Sequence, residues 1–282
     1  MTATAATVRD ALGAATDALA AAGIEEARLD AEVLLAEASG RERAALLADG
    51  AAGLEPAAAR RFGELVRRRL RREPVAYIVG RKGFRRLELT VDRRVLVPRP
   101  ETELLVEVAL ELSPGRVLDL GTGSGAIALA LADELPAAEV VATDASPGAL
   151  EVARANAKRL GLADRVRFVP GTLPEGESFD LVLANLPYVA ERDWPTLQPE
   201  VTQWEPREAL LAGPDGLDAY RTLFATVAGP GQTTTTVAVE IGEGQAAAVA
   251  ELVRGAGWTE VETRRDLAGI ERVVVGRAGG AR

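Results

Sequence analysis

VLDLGTGSGAIALALA, from Val117 to Ala132, decides the fold, because it is typical of a strand, a glycine-rich turn and a helix in direct succession. Gly121, Gly123 and Gly125 carry no side chain, so the backbone of the turn can approach a ligand closely. The helix that follows points its N-terminal amides at the same turn. The spacing is GxGxG rather than the GxGxxG of dinucleotide-binding folds, so the turn alone does not select a cofactor.

Apolar strands and helices alternate around this stretch and predict a parallel sheet covered on both faces. Two final segments, WTEVETRRD and ERVVVGR, are typical of a terminal hairpin. The sequence therefore predicts an α/β fold with a mostly parallel seven-stranded sheet. The other predicted strands are RVLDLG, EVVATD, VRFVPG, FDLVLANL and TTTVAVEI, and the predicted helices of this region begin near Glu101, Ser124, Ser146, Asp215 and Gly244.

The region before the sheet has a different pattern. Residues 1–74 predict an α-helical bundle domain, because apolar residues recur at three- and four-residue spacing, with Gly23 and Gly40 as helix ends. The run RRRLRR, residues 67–72, is either a solvated helix face or a binding patch. Residues 75–97 predict a β-hairpin linker to the third region, residues 98–282.

Composition excludes several kinds of site. The chain has 282 residues, a formal net charge of −9, no Cys and no His. Disulfides, thiol nucleophiles, His-based acid–base catalysis and most zinc sites are therefore excluded, and no acidic cluster predicts another metal site. The negative charge disfavours nonspecific contact with a phosphate backbone. Neither a signal peptide nor a membrane span is predicted, so we expect a soluble, cytoplasmic protein.

Asp144 ends the second predicted strand, about twenty residues after the glycine turn, where a carboxylate can accept both hydroxyls of a ribose. It could instead cap the next helix, but Ser146 suits that role better. The turn lacks the Lys of a P-loop. Together the turn and Asp144 predict an adenosine-binding sheet, with NAD and S-adenosylmethionine as the remaining cofactors.

The stretch FDLVLANLPYV, Phe179 to Val189, presents Asn185 at the tip of the fourth predicted strand. Asn and Pro could simply end the strand in a turn. The DLGTGSG turn, Asp144 and the final hairpin, however, resemble class I S-adenosylmethionine-dependent methyltransferases, and NLPY resembles their (N/D)PP(Y/F) motif. That motif belongs to enzymes that methylate adenine or cytosine amines or a glutamine amide. The resemblance implies a Rossmann-like fold and S-adenosyl-L-methionine as the cofactor.

Further stretches, among them EPVAYIVGRKGF, VLVPRPETELLVE, EPREALLAGPDGLDAYR and VEIGEGQ, are similar to one family, the peptide chain release factor glutamine methyltransferases (PrmC/HemK). The resemblance implies methylation of the glutamine in the Gly-Gly-Gln motif of class I release factors. It also implies an N-terminal helical domain, which we expect to recognise the substrate protein. We further expect a monomer that binds neither nucleic acid nor membrane directly.

The resemblance also assigns the site residues by position. The predicted cofactor-binding residues are Gly121, Thr122, Gly123, Ser124, Gly125, Asp144, Thr172, Leu173 and Asn185. The predicted catalytic residues, which would hold the glutamine, are Asn185, Leu186, Pro187 and Tyr188. The Asn185 oxygen and the next backbone carbonyl would accept hydrogen bonds from the substrate nitrogen, and Tyr188 would pack against its planar group. Three positions depart from the family pattern, which usually has Pro at Leu186, often Asp at Thr172 and commonly Glu at Gly83.

Some interpretations stay open at this point. RPETE, residues 99–103, matches a family motif near the site, yet its prolines could simply begin a helix with Thr102 near the cap. Glu240 is either part of the site or a strand-end charge near solvent. Rival functions are a ribosomal protein glutamine methyltransferase, a nucleic acid adenine methyltransferase and a noncatalytic binding protein. RPETE argues against the first, the acidic balance and helical N-terminal region against the second, and the intact motif residues against the third.

Overall fold

Two units make up the chain in the computed structural model, which describes residues 7–174, 176–228 and 234–279. The helical unit comprises Met1–Gly80 and Gln198–Trp204, and the sheet unit comprises Arg81–Leu197 and Glu205–Arg282. Parts of the predicted regions 1–74 and 98–282, namely residues 1–6, 175, 229–233 and 280–282, lie outside the described residues.

The elements follow the chain in the order expected for alternating strands and helices. The α-helices are α1 (Val8–Ala21), α2 (Ala27–Ser39), α3 (Arg43–Ala48), α4 (Pro56–Leu70), α5 (Val75–Val79), α6 (Glu103–Leu112), α7 (Ala126–Glu134), α8 (Pro147–Arg159), α9 (Pro199–Trp204), α10 (Asp218–Val227) and α11 (Ala246–Gly255). The strands are β1 (Arg81–Phe84), β2 (Leu87–Thr90), β3 (Arg116–Leu120), β4 (Glu139–Asp144), β5 (Val166–Pro170), β6 (Phe179–Ala184), β7 (Thr234–Glu240), β8 (Glu260–Arg265) and β9 (Glu271–Arg277). Among the helices of the described ranges, none has the length and apolar character that crossing a membrane requires.

The helical unit folds around its own apolar core, as the spacing of its leucines and valines predicts. Helix α1 begins with a capping box between Thr7 and Asp10, which satisfies its first free amides. Gly40 ends α2 in a left-handed conformation with φ 66°, as predicted. Helix α1 ends earlier than predicted, because Ala22 is its C-cap and Gly23 follows outside the helix.

The arginine run of residues 67–72 is only in part the solvated helix face that the sequence suggested, because Arg67 and Arg71 are exposed but the other three arginines are paired with carboxylates. Arg69 is only 7% exposed and forms ion pairs with Asp30 and with Glu200 of α9. Arg72 pairs with the other oxygen of Glu200, and Arg68 pairs with Glu73. Half of the run therefore provides internal counter-ions, because buried carboxylates require charged partners.

The predicted β-hairpin is present, but it is shorter than residues 75–97. Residues 75–79 form α5, and the hairpin is confined to β1 and β2. Phe84 and Leu89 of the hairpin are fully buried in the core of the sheet unit. The hairpin therefore belongs to the sheet unit, because its alternating pattern serves to bury one face rather than to form a free linker.

The sheet unit confirms the predicted seven-stranded, mostly parallel sheet. Its strand order is β5-β4-β3-β6-β7-β9-β8, and only β9 runs antiparallel to its neighbours. Side chains of successive strand residues alternate between two apolar cores. Helices α6 and α7 cover one face of the sheet and α10 and α11 cover the other. The terminal hairpin of β8 and β9 is confirmed as well.

Candidate active site

The strand order brings the two decisive motifs together. Strands β3 and β6 are parallel neighbours, with Leu120 opposite Ala184, so the glycine turn and the NLPY loop leave the sheet side by side. The chain changes its direction of winding between these strands, which is where open α/β sheets bind ligands. A cavity of about 330 Å³ lies at this edge. The predicted site residues that line it are Gly121, Thr122, Gly123, Ser124, Asp144, Thr172, Asn185, Leu186 and Pro187.

Gly125, predicted to bind cofactor, does not line this cavity. It ends the turn at φ 85°, a conformation that favours glycine, and it precedes α7. A Cβ atom there would lie 3.0 Å from Leu129 and 3.3 Å from Ala153. The third glycine therefore allows α7 to start close to its neighbours and shapes the turn without lining the cavity.

Asp119, directly before the turn in β3, fixes the shape of the turn. Its Oδ2 accepts hydrogen bonds from the Thr122 hydroxyl at 2.6 Å and from the Ala128 amide at 3.0 Å. Its side chain is fully buried, and burial raises its pKa to about 7 against the effect of these hydrogen bonds.

Asp144 closes the far wall of the cavity at the end of β4. Its Oδ2 accepts from the Gly123 amide at 2.9 Å, and its Oδ1 accepts from the Ser146 amide at 2.8 Å. Burial raises its pKa, while these two hydrogen bonds lower it. A carboxylate has about four acceptor sites, so both oxygens retain capacity for hydroxyls in the cavity. Ser146 caps α8, as expected, through a bond from the Ala149 amide.

Asn185 is held from behind by two residues distant in sequence. Its Nδ2 donates to the Thr102 hydroxyl oxygen at 2.9 Å, and that hydroxyl donates to Glu240 Oε2 at 2.6 Å. Glu240 is only 2% exposed, so its interpretation as a charge near solvent is wrong. Burial raises the pKa of Glu240 to about 7, although the Thr102 hydrogen bond opposes this shift.

The RPETE segment does begin a helix, but Thr102 does not cap it. A 3₁₀ turn at Pro100–Thr102 leads into α6, and the Thr102 side chain makes no capping hydrogen bond. That side chain bonds to Glu240 instead. The segment is further tied down by Arg99, whose guanidinium donates to Glu205 at 2.6 Å.

Tyr188 and Leu173 stand behind the cavity wall. The Tyr188 hydroxyl lies 3.5 Å from Glu240 Oε1, and burial raises the tyrosine pKa to about 12. Leu173 packs against the apolar core, and neither side chain lines the cavity. Gln245 holds the loop in place, because its Nε2 donates to the Tyr188 carbonyl at 3.0 Å.

Sequence reasoning missed the supporting amides Asn156 and Gln245. Asn156 in α8 is fully buried, and its Nδ2 donates to the carbonyls of Thr90 and Ser124. It thereby joins the hairpin to the glycine turn. A signal was available, because Asn156 shares helical spacing with the apolar Ala149, Val152 and Ala153 of α8.

Comparison with known proteins agrees with this geometry. The family model described as the PrmC N-terminal domain matches residues 10–80, and a methyltransferase domain model matches residues 117–204. Among solved structures, the hMettl16 catalytic domain in complex with MAT2A 3'UTR hairpin 6 is 15% identical and has a TM-score of 0.55. It covers 68% of this chain and 76% of its own. A methyltransferase from Pyrococcus furiosus is 18% identical, with a TM-score of 0.50 over 69% and 90% of the two chains. These likenesses confirm the class I methyltransferase fold.

Sequence relatives extend over nearly the whole chain. The release factor glutamine methyltransferase of Caulobacter vibrioides is 44% identical over 93% of this chain and 93% of its own length. The protein of the same name from Moorella thermoacetica is 45% identical over 94% and 96%. The predicted resemblance is confirmed: this chain belongs to the release factor glutamine methyltransferase family.

Proposed function

We propose that this chain transfers a methyl group from S-adenosyl-L-methionine to the side-chain amide nitrogen of the glutamine in the Gly-Gly-Gln motif of class I peptide chain release factors. Its full-length relatives carry the name of this activity. The observation that carries the proposal is the position of the Asn185 amide, in the wall of the same cavity as the glycine turn and Asp144.

The donor set fits the cofactor. Gly121 and Gly123 present bare backbone to the cavity, and the Asp144 oxygens have acceptor sites for the ribose hydroxyls. Thr172 reaches the cavity and can contact the adenine from its edge. When bound, S-adenosyl-L-methionine supplies a methyl group made electrophilic by its positively charged sulfur.

The chain activates a poor nucleophile by orientation rather than by a base. The lone pair of an amide nitrogen is delocalised into the carbonyl group. The Asn185 Oδ1 and the Leu186 carbonyl accept the two N–H groups of the substrate and align its nitrogen. Both oxygens also stabilise the positive charge that develops on that nitrogen in the transition state, and the methylated nitrogen then loses one of its two protons to water. Alignment of this kind can lower a barrier by up to about 7–11 kcal/mol.

The proposal extends to the partner and the compartment. Residues 1–74 recognise the release factor, which is supported by the match to the PrmC N-terminal domain and by the separate apolar core of the helical unit. The enzyme acts as a cytoplasmic monomer and does not bind nucleic acid directly, which is supported by the formal net charge of −9.

The test is mass spectrometry of a class I release factor after incubation with the chain and S-adenosyl-L-methionine. We expect one added methylene on the Gly-Gly-Gln glutamine, and none on a release factor in which that glutamine is replaced by asparagine. Asn185→Ala should lower the turnover rate by about 10²–10³ with a smaller change in release factor affinity. Methylation of a ribosomal protein or of RNA in place of the release factor would support the rival functions. Cofactor binding without turnover on any of these substrates would indicate a binding protein.

A further inference from the structure

A buried carboxylate beside the site has hydroxyl partners but no ion pair. Within the described part of the chain, no Arg or Lys forms an ion pair with Glu240, and its short contact is the 2.6 Å hydrogen bond from Thr102. The Asn185 Nδ2 lies 2.9 Å from the Thr102 oxygen, so Glu240, Thr102 and Asn185 form a row of hydrogen-bonded side chains. Buried carboxylates are usually paired with cations, so this arrangement requires a reason.

Counting protons gives the direction of the row. A threonine hydroxyl has one proton, and an ionised carboxylate can only accept. The Thr102 proton therefore points to Glu240, and the Thr102 oxygen offers only lone pairs to Asn185. Asn185 must present its NH₂ group to that oxygen. The two ends of an amide have nearly the same shape, so hydrogen-bond partners decide its orientation.

The orientation of this amide matters for the reaction. With Nδ2 directed at Thr102, the Asn185 Oδ1 receives no hydrogen bond from any described residue and is available at the cavity wall. The flipped amide would present its N–H groups to the N–H groups of the substrate. Its oxygen would then face the lone pairs of Thr102. Only one of the two orientations provides an acceptor for the glutamine nitrogen.

We propose that Thr102 and Glu240 are positioning residues that lock the Asn185 amide with its oxygen toward the substrate, an inference that rests on the proposed function. Glu240 holds the Thr102 proton, Thr102 holds the Asn185 NH₂ group, and of these three residues only Asn185 touches the reacting nitrogen. The lock depends on a carboxylate, because a protonated Glu240 can itself donate to the Thr102 oxygen.

The lock is therefore sensitive to pH. Burial raises the pKa of Glu240 to about 7, so protonation occurs near neutrality and kcat should fall as the pH is lowered through this value. Tyr220 also donates to the Glu240 backbone carbonyl, at 2.6 Å. The charged or titratable groups that face Glu240 from the surrounding elements are Arg99, Glu101, Tyr188, Tyr220 and Arg272.

The activity test uses three variants of the full chain with a release factor as substrate. Thr102→Val keeps the shape but removes the hydroxyl, and it should lower kcat by about tenfold to hundredfold with little change in KM. Thr102→Ser restores the hydroxyl and should recover most of that loss. Glu240→Gln should lower kcat and abolish its fall toward acid pH. Thr234→Val, at the other end of β7, is the matched control, because its buried hydroxyl has no hydrogen-bond partner among the described residues.

A second measurement does not need turnover. The Asn185 side-chain NH₂ signal, identified in nuclear magnetic resonance spectra by its loss in Asn185→Ala, should shift with pH near 7 in the native chain and remain constant in Glu240→Gln. Native kcat in Thr102→Val, or an unchanged acid limb in Glu240→Gln, would overturn the lock. If the native chain does not methylate release factors, the proposed function fails. The resonance titration would still decide whether Glu240 and Thr102 orient Asn185.

Discussion

Glu200 in the helical unit and Glu240 in the sheet unit are both buried, at 7% and 2% exposure, but they have opposite surroundings. Glu200 receives Arg69 on one oxygen and Arg72 on the other, each at 2.6 Å. Glu240 has hydroxyl neighbours instead. The charge of Glu200 is thus neutralised by arginines of the same unit. The charge of Glu240 has no such ion pair, and its shortest hydrogen bond comes from Thr102, which in turn contacts Asn185.

The pKa values of the two groups follow this difference. Burial on its own would raise the pKa of both carboxyl groups. At Glu200, hydrogen bonds from its own backbone and from Arg69 and Arg72 outweigh burial and leave the pKa lowered. At Glu240, one hydroxyl bond does not outweigh burial, and the pKa rises to about 7. A buried carboxylate with cationic partners therefore keeps a low pKa, whereas one without an ion pair keeps a raised pKa and is a candidate for a functional role.

The largest expected effect is the loss of stability when Glu200, the carboxylate with two ion pairs, is removed. Glu200→Ala removes the common partner of the buried Arg69, which keeps its pair with Asp30, and of the partly exposed Arg72. With charge-assisted bonds lost at both arginines, the free energy of unfolding of the helical unit should fall by about 3–5 kcal/mol. Hydrogen exchange of the α2 and α4 amides measures this loss. Asp49→Ala removes an exposed pair with Arg41 in the same unit and should cost at most about 1 kcal/mol. Equal losses in the two variants would mean that burial adds nothing to the Glu200 pairs.

The second expected effect is on the pH dependence of stability, which has opposite signs for Glu240 and Glu200. The folded pKa of Glu240 lies above its unfolded value of 4.5, so the folded chain binds the extra proton between about pH 4.5 and pH 7. Stability from this group is present below 4.5 and is lost as the pH rises to about 7. Glu200 has a lowered pKa, so its contribution is present above 4.5 and is lost as the pH falls.

Denaturant titrations at several pH values measure this difference. From about pH 4 to about pH 8, Glu240→Gln should gain stability relative to the native chain by on the order of 3 kcal/mol. Glu200→Gln should lose stability relative to the native chain over the same range. Parallel pH curves for Glu240→Gln and the native chain would show that the Glu240 carboxyl has an ordinary pKa.

The third effect concerns Asp144, a partly buried carboxylate whose partners are two backbone amides. If a carboxylate without an ion pair marks function, this group should act on the ligand. Asp144→Ala should lower the affinity for S-adenosyl-L-methionine by about one to two decades, because hydrogen bonds to a charged acceptor contribute roughly 1.5–3 kcal/mol. Calorimetry gives the affinity, and Asp164→Ala at an exposed position before β5 is the control. Unchanged affinity would remove Asp144 from the ribose site.

The sheet could be predicted because its signals are local. Each βα unit has its own apolar strand, turn and helix pattern, and parallel order places the ends of β3 and β6 together. The glycine turn and Asp144 follow from such local patterns, whereas Asn185 is assigned through the resemblance to the methyltransferase motif. Helices α3 and α5 are short and carry too few residues for a periodic pattern, so they were missed.

The supports of the site could not be predicted because they join distant parts of the chain. Thr102 and Glu240 are 138 residues apart, and their hydrogen bond exists only once α6 packs beside β7. Arg69 and Glu200 are similarly distant, so a run of arginines in sequence gave no sign of its internal partners. Nothing local distinguishes a buried charge from an exposed one in these cases.

The smallest expected effect is that of a substitution at Leu186. It tests whether the orientation of Asn185 depends on its hydrogen bonds or on the conformation of the adjacent backbone. Leu186 replaces the usual proline of the family motif. Its N–H donates to no described residue, so a proline there removes no hydrogen bond. The Leu186 carbonyl, which the mechanism uses, is present in either residue. Proline would fix φ near −65° and bias Asn185 toward extended geometry, which a residue directly after β6 already tends to adopt.

Leu186→Pro also removes a side chain that lines the wall of both the site and a second cavity, which Leu211 and Leu223 also line. The gain in restraint and the loss of this wall act in opposite directions. We expect the initial rate of release factor methylation to change by less than tenfold, or about 1.4 kcal/mol in the barrier. An inert native chain that becomes active with proline would show that backbone restraint, rather than the row from Glu240 to Asn185, controls the orientation of the amide.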